Sequence, residues 1–363
     1  MRRLLCSASL ATGVMAGLPE ARAQELTTQI EAAEPGLWQV AWHLPAPEAI
    51  PIASEPEPEG ETLPRDILAP DTPQAAADPV LPGPPDDPPA PRRWADHVPR
   101  GQAAYPGFFD QAGTIKTETL LLLGYFGLQS GKKLFRETTA FHFKDEGWFG
   151  DDTINLGVDK LTHAFDTYLI AEILHMRLHR KTEASAGDAL TAAVIASALM
   201  ALNEISDGIE PDSGYSMQDV TANLAGAAFS VLRNTVPGMR EKVAFKVEII
   251  PNSSIYSYRG QRHYEQQRYM LSFKGAGFKG LRDGPLRFVD LQVGYFASDF
   301  MGKDRAAGKE PKQHVFVGLG LNLGELLFGE SRSGFGKAGR LVLDYLQLPY
   351  TSIRYDTTGR LGH

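Results

Sequence analysis

The sequence predicts an α+β protein: a small α-helical bundle followed by an antiparallel β domain, a half-barrel or meander, with a disordered Pro-rich linker ahead of both. Three observations predict it. Apolar residues recur at helical spacing through residues 117–236, the period changes to two beyond Lys242, and 16 of the 25 prolines fall within residues 45–100.

At the N-terminus, Arg2 and Arg3 precede an apolar run from Leu4 to Leu18, and Ala21-Arg22-Ala23 forms a small-residue cleavage pattern. Residues 1–23 therefore read as a secretory signal peptide, too short and too rich in Ala and Gly for a good spanning helix. Cys6, the single cysteine, lies inside this leader, ahead of most of the apolar run. That is not where a lipoprotein cysteine stands, and the exported chain is expected to hold no disulfide and no Cys metal ligand. The expected location is the periplasm, with attachment to the outer membrane as its membrane-bound form.

Residues 24–44 form a short segment containing Leu37-Trp38-Gln39-Val40-Ala41-Trp42. Residues 45–100 carry eleven Asp or Glu and four Arg, a net −7 within the chain's −8. Such an acidic, Pro-rich stretch cannot bury enough apolar surface to fold, and reads as an extended spacer or tether. No basic stripe remains for nucleic acid, so no nucleic-acid partner is expected.

The folded part divides into a bundle at 105–240 and a β domain at 241–363. Thr117 to Gln129 reads as a first helix, ended by Gly131, and the aromatic-rich Phe135 to Phe149 as an irregular or strand-like excursion. Leu156 to Lys181 reads as a second helix, with Leu161, Ala164, Phe165, Tyr168 and Leu169 on one face and basic residues in its last turn. Ala184 to Ile205 is Ala-rich. Met217 to Val236 begins after Ser216, a plausible N-cap, and stops at Pro237-Gly238. Strands are expected at Val243–Ile250, Gln267–Lys274, Phe288–Phe296, Val315–Leu323 and Leu341–Leu348. In the fourth, Val315, Val317, Leu319, Leu321 and Leu323 alternate with His314, Phe316, Gly318, Gly320 and Asn322. Two placements suit this pattern: a sheet packed on the helices, or hairpins lying against the outer membrane. Aromatic residues at Tyr256, Tyr258, Tyr264, Tyr269, Phe273, Phe288, Tyr295 and Phe296 read either as core and cross-strand pairs or as an interfacial belt. A closed single-chain membrane barrel needs more strands than these.

The candidate site is a polar constellation near the ends of three apolar segments: Asp159, Lys160 and His163; Glu204 and Asp207; Ser216, Asp219 and Asn223. Asp159, His163 and Asp166 share one helix stripe. Ionisable groups are costly inside a bundle unless they pair or bind something. Small residues at Ala193, Ala196, Ser197, Ala222, Ala225 and Gly226 would let the helices approach closely. All eight constellation residues are candidate binding residues, and His163, Asp159, Glu204 and Asp219 are the candidates for acid–base catalysis. The donor set also suits a divalent cation, although one His without a second metal motif specifies no metal or other cofactor. The structural alternative assigns Asp159 and Ser216 to helix capping, His163 to a hydrogen bond with Glu204, and Asn223 to a bridge between helices.

Asp159-Lys160-x-x-His163, the later Glu204 with Asp207, and Ser216-x-x-Asp219-x-x-x-Asn223-x-x-Gly226-Ala227 together resemble the YfiM-type family of predicted periplasmic lipoproteins of unknown function, within the VanZ-like superfamily. The resemblance covers roughly residues 157–231, and Gln313 to Leu323 resembles the C-terminal strand region of longer members. It implies an envelope protein with no established activity, and by analogy links to cell-wall or lipid-linked ligands. Two features differ: VanZ-like proteins are integral membrane proteins, whereas Ala189 to Leu202 is 14 residues against the ~20 of a span, and no lipobox follows the leader. The expected function is thus a structural or binding role at the periplasmic face of the outer membrane, with a cell-envelope protein or lipid head group as partner. The alternative is a metal- or base-assisted enzyme acting on a lipid or cell-wall precursor through His163 and its neighbouring carboxylates.

Overall fold

The computed structural model describes residues 104–182, 184–251 and 262–362. The expected signal peptide, the 24–44 segment, the linker, Tyr256 and Tyr258 lie outside them. Five helices open the described chain: α1 (Phe108–Thr114), α2 (Lys116–Lys133), α3 (Val158–Lys181), α4 (Asp188–Asp207) and α5 (Met217–Thr235). A single turn, α6 (Met239–Lys242), leads into the sheet. Helix α2 runs two residues past Gly131, which sits in its last turn with open space around it. The expected excursion at Phe135–Phe149 is irregular, with a single bridge from Phe143 to Tyr215, and the irregular stretch continues to Gly157, so the helix expected from Leu156 starts at Val158.

One core lies between α3 and α4, where Leu174, Leu178, Ala192, Ala196 and Leu199 are buried with Ile115 and Phe126. The close approach of α3 and α5 depends on Gly226. A Cβ there would stand 1.9 Å from the Ala164 carbonyl oxygen, so only glycine fits. Helix α4 is long and apolar enough to cross a membrane by length and composition, although more than half of that stretch is buried inside the protein.

The second half forms β1 (Val243–Ile249), α7 (Arg262–Gln266), β2 (Gln267–Lys274), β3 (Val289–Ser298), α8 (Gly302–Ala306), β4 (Lys312–Leu321), α9 (Leu323–Phe328), α10 (Gly334–Leu343), β5 (Leu346–Gln347), β6 (Ser352–Asp356) and β7 (Leu361–Gly362). Among the described residues these strands make one curled, half-barrel sheet in the order β5-β1-β2-β3-β4-β6-β7. Every neighbouring pair is antiparallel except β1 with β5, so the sheet is mixed rather than purely antiparallel.

One expected strand is corrected. Leu341 to Leu348 begins as the end of α10, whose N-cap Ser333 accepts a hydrogen bond from the Gly336 N–H at 3.0 Å, and only Leu346 and Gln347 pair as strand. Ser352–Asp356 and Leu361–Gly362 are strands that the sequence reading left out.

The alternation in β4 is present, but its apolar side is the exposed one. Val315, Val317, Leu319 and Leu321 face outward while His314, Phe316, Gly318 and Gly320 are buried. The concave interior of the curl is rich in charged and polar side chains, with Met270, Phe296 and Phe316 among them. Lys246 meets Asp290 at 3.0 Å, Arg354 meets Glu248 at 2.5 Å, and His314 Nδ1 lies 2.9 Å from Asp356. Phe296 stacks on His314 on this inner side, with the Arg268 guanidinium over its ring. Tyr269 is core, packed with Phe165 and Phe245.

The helices cover the outward face only along β1 and its neighbours. Phe165 and Tyr168 of α3 pack on Phe245, with Val247, Tyr269 and Tyr345 in the same buried cluster.

Candidate functional site

The site is built where three helix ends converge. Helix α3 starts after Gly157, whose φ of 79° is left-handed and whose missing Cβ leaves room for the Phe149 ring and the Trp148 carbonyl. This start places Asp159, Lys160 and His163 on the first two turns. Helix α4 ends with Glu204 and Asp207, and α5 begins with Ser216, Asp219 and Asn223.

Lys160 is the hub. Its side chain is 2% exposed, and Nζ lies 2.7 Å from Asp219 Oδ1, 2.7 Å from Glu146 Oε2 and 3.1 Å from Asp159 Oδ2. Burial alone would lower its pKa, but the charges of Asp159 and Asp219 outweigh that and raise it, so Lys160 stays an ammonium. His163 lies between two acids: Nδ1 is 3.3 Å from Glu204 Oε1 and Nε2 is 3.6 Å from Asp219 Oδ1. Burial again works against its charged form, and Asp219 and Glu204 override it to raise the imidazole pKa. Glu204 is pushed up to about 7 by burial, with Asp219 and Asp207 adding repulsion against the pull of His163. Its place in the last turn of α4, beside the negative end of the helix dipole, acts in the same sense. Asp219 is raised as well, by burial.

Five of the sequence candidates, Asp159, Lys160, His163, Glu204 and Asp219, thus form one chain of alternating charge. The other three are nearby with separate tasks. Asp207 pairs with Lys133 of α2 and accepts from Asn203 Nδ2 at 2.9 Å. Ser216 caps α5, its Oγ accepting from the Asp219 N–H at 3.2 Å. Buried Asn223 accepts from Thr167 Oγ1 at 2.8 Å, bridging α5 to α3. Asp159 does not cap α3: the N-cap is Gly157, with no side-chain cap.

Glu146 was not identified from sequence. It comes from the irregular aromatic segment, where no periodicity marks it. With Lys144, Asp145, Asp152 and Asp159 it lines part of a cleft of ≈ 300 Å³, and two of these residues, Glu146 and Asp159, are partners of Lys160. The cleft's excess of carboxylates favours a cationic group over an anion.

A second buried network also escaped the sequence reading. Glu172 of α3 and Arg233 of α5 pair at 2.6 Å with both side chains fully buried, and Tyr345 OH donates to Glu172 at 2.9 Å. Glu172 is driven down to about 2, because the Arg233 and Arg240 charges overcome its burial. The available signal was a lone Glu on the buried stripe between Tyr168 and Leu178. In a third cluster, Asp188 of α4 accepts from Gln111 Nε2 at 2.9 Å and lies 2.9 Å from His179 Nδ1.

The donor atoms of His163, Glu204 and Asp219 all lie within 4.8 Å of one another, as do those of Glu146, Asp159 and Asp219, so either trio has the reach to hold a metal ion. In the second trio the Lys160 ammonium already contacts all three carboxylates. In the first, Asp219 and Glu204 favour the charged form of His163, which competes with a metal for the same carboxylates. The trio therefore fits an imidazolium between carboxylates at least as well as a cation.

This arrangement defines a helical bundle with a paired polar interior joined to a curled sheet. Over residues 145–235 the chain matches the model of a family described as predicted periplasmic lipoprotein, DUF2279, of unknown function. The matched stretch runs from Asp145 to Thr235 and takes in Glu146 together with all eight constellation residues. The periplasmic location expected from the leader agrees with that description. No curated protein and no solved structure matches the chain.

Proposed function

We propose that this protein is a non-catalytic envelope component with a structural or binding role at the periplasmic face of the outer membrane. The observation that carries the reading is that the charges of the constellation face one another, although no hydrogen bond closes on buried His163 Nδ1 or Glu204 Oε1. Lys160 is held by three carboxylates and His163 stands between two. Such an arrangement fixes three helix ends and the acidic loop in one geometry, as a scaffold or the rigid back wall of a binding cleft requires. The relation to VanZ-like proteins belongs to the same proposal, on the order and spacing of the motif residues.

The test is fractionation of cells carrying the full chain, with inner and outer membranes separated by density and protease added before and after the outer membrane is opened. Recovery with the outer membrane, with cleavage only after opening, is the expected result. A wholly soluble periplasmic protein with no membrane partner by crosslinking would overturn the reading.

A second reading rests on one specific observation, the Glu204–His163 pair whose acid is held near neutrality. A carboxyl tuned to about 7 beside an imidazole suits general acid–base work on a lipid or cell-wall precursor. Full complementation of a deletion by folded His163→Ala and Asp219→Ala proteins would rule this reading out.

A further inference from the structure

The outward face of the curled sheet has the polarity of a surface that meets lipid. Its residues follow one another across strands in register: Leu271 opposite Val293, Val293 opposite Val317, Leu291 opposite Leu319, Leu319 opposite Ile353, and Val317 opposite Tyr355. These side chains are between 38% and 63% exposed. No Asp, Glu, Lys or Arg occupies an outward position in β1 to β6, whereas the buried inner positions hold Lys246, Glu248, Asp290, His314, Arg354 and Asp356. A sheet in water places its charges the other way round. Apolar-out and polar-in along each strand is the pattern of a membrane β-surface, and an uncovered apolar patch this continuous marks an interaction site.

At Phe245, Val247, Tyr269, Tyr295 and Ala297 the same face is covered by the cluster around Phe165 and Tyr168 of α3, and from Leu271 through Leu291, Val293 and β4 to β6 it continues exposed. In the two helices that follow β4, Leu327 and Phe335 are also 61% and 79% exposed. The segments at the end of β4 carry Lys279, Arg282, Arg287, Arg332, Lys337 and Arg340 against Asp283, Glu325 and Glu330, with Arg287 and Arg340 paired to Glu325 and Glu330. An apolar face with an excess of bases in the segments at one end complements a leaflet containing anionic head groups.

We propose that this face seats in one leaflet of a lipid bilayer, with the basic end at the head groups. It does not cross the bilayer. Among the described residues the sheet is open, with two-residue strands at both edges, and unpaired backbone is excluded from hydrocarbon. The chain's own residues 45–100 are poor candidates to cover the face, because they are acidic, Pro-rich and short of apolar side chains. This inference rests on the membrane-facing reading above and names the partner it implies.

The experiment uses the full chain with Cys6 replaced by Ser, so that a single label can be placed. Nitroxides go on Val317→Cys and Ile353→Cys, with exposed Glu310→Cys in the β3–β4 connection as control, and vesicles of phosphatidylethanolamine and phosphatidylglycerol are added. At 317 and 353 the label should lose access to a water-soluble relaxer and gain access to oxygen, while 310 stays unchanged. Val317→Glu with Leu319→Glu, folded by circular dichroism, should float with vesicles about tenfold less or weaker. Labels that stay water-accessible while the chain floats overturn the inference and leave the outer-membrane reading standing. Labels protected equally with and without vesicles overturn it too, with sedimentation separating cover by a second copy from cover by residues 1–103. Soluble fractionation in cells, by contrast, overturns the outer-membrane reading itself.

Discussion

At Lys160, one ammonium offsets three carboxylates that would otherwise repel one another at the junction of α3, α5 and the acidic loop. Lys160→Met removes the cation and leaves the acids behind. The expected loss is about 3–5 kcal/mol, read as a lower urea midpoint, and a change below 1 kcal/mol would mean solvent already screens the cluster. The Glu204–His163 pair makes a separate prediction about pH. The folded-state pKa of each group is raised, Glu204 to about 7. Above the ordinary Glu range the folded protein therefore binds more protons than the unfolded chain, so stability falls as pH rises. For His163 the contribution is complete below its unfolded pKa and is lost as pH passes its folded one. The melting temperature should decline from pH 5 to 8, and Glu204→Gln should flatten that decline. An unchanged slope in Glu204→Gln would assign the titration elsewhere.

At the scale of elements, the helices were legible because their apolar stripes repeat every three to four residues and Ser216 and Gly238 mark ends. Polar residues on those stripes stood out against them, which is why Asp159, Lys160, His163, Glu204 and Asp219 could be named together. Glu146 could not, because its segment has no period to violate. The strands were legible as alternation, but period two is symmetric: it separates Val317 from Phe316 without saying which side faces the interior. Here tertiary packing decides, with the helices covering one end of the apolar face and the polar side chains closing on one another inside the curl. Leu341–Leu343 looked like strand because three apolar residues in a row carry no helical phase, while the Gly-rich turn of α10 before them obscured the rest. The α3–α5 contact gives this scale its own prediction. Gly226→Ala drives a Cβ into the Ala164 carbonyl, so the helices must separate, at a cost of about 1–3 kcal/mol or more. Ala225→Gly, one position away, should cost only the ~1 kcal/mol of a helix glycine. Equal losses would show that α5 is free to shift.

Across the whole molecule, the bundle and the sheet share both their apolar and their polar interiors. Phe165, Tyr168 and Phe245 belong to one buried cluster. Arg233 of α5 reaches Glu172 on α3, donates through Nε to the Val243 carbonyl at 3.0 Å, and pairs with Asp344, which also accepts from Lys274 of β2 at 2.6 Å. A buried guanidinium with partners on both sides of the junction is lost to either side if the other unfolds. Helices and sheet should therefore melt together. Far-ultraviolet circular dichroism, reporting mainly helix, and near-ultraviolet signal from the Tyr and Phe cluster should share one midpoint, as two-state unfolding requires. Arg233→Met should move that midpoint down without splitting it, since the uncompensated Glu172 burdens the junction rather than one side, by about 3–5 kcal/mol. Two resolved transitions in the wild type would instead make the bundle and the sheet independent units, and the outward apolar strands would then need an anchor other than the helices that cover β1.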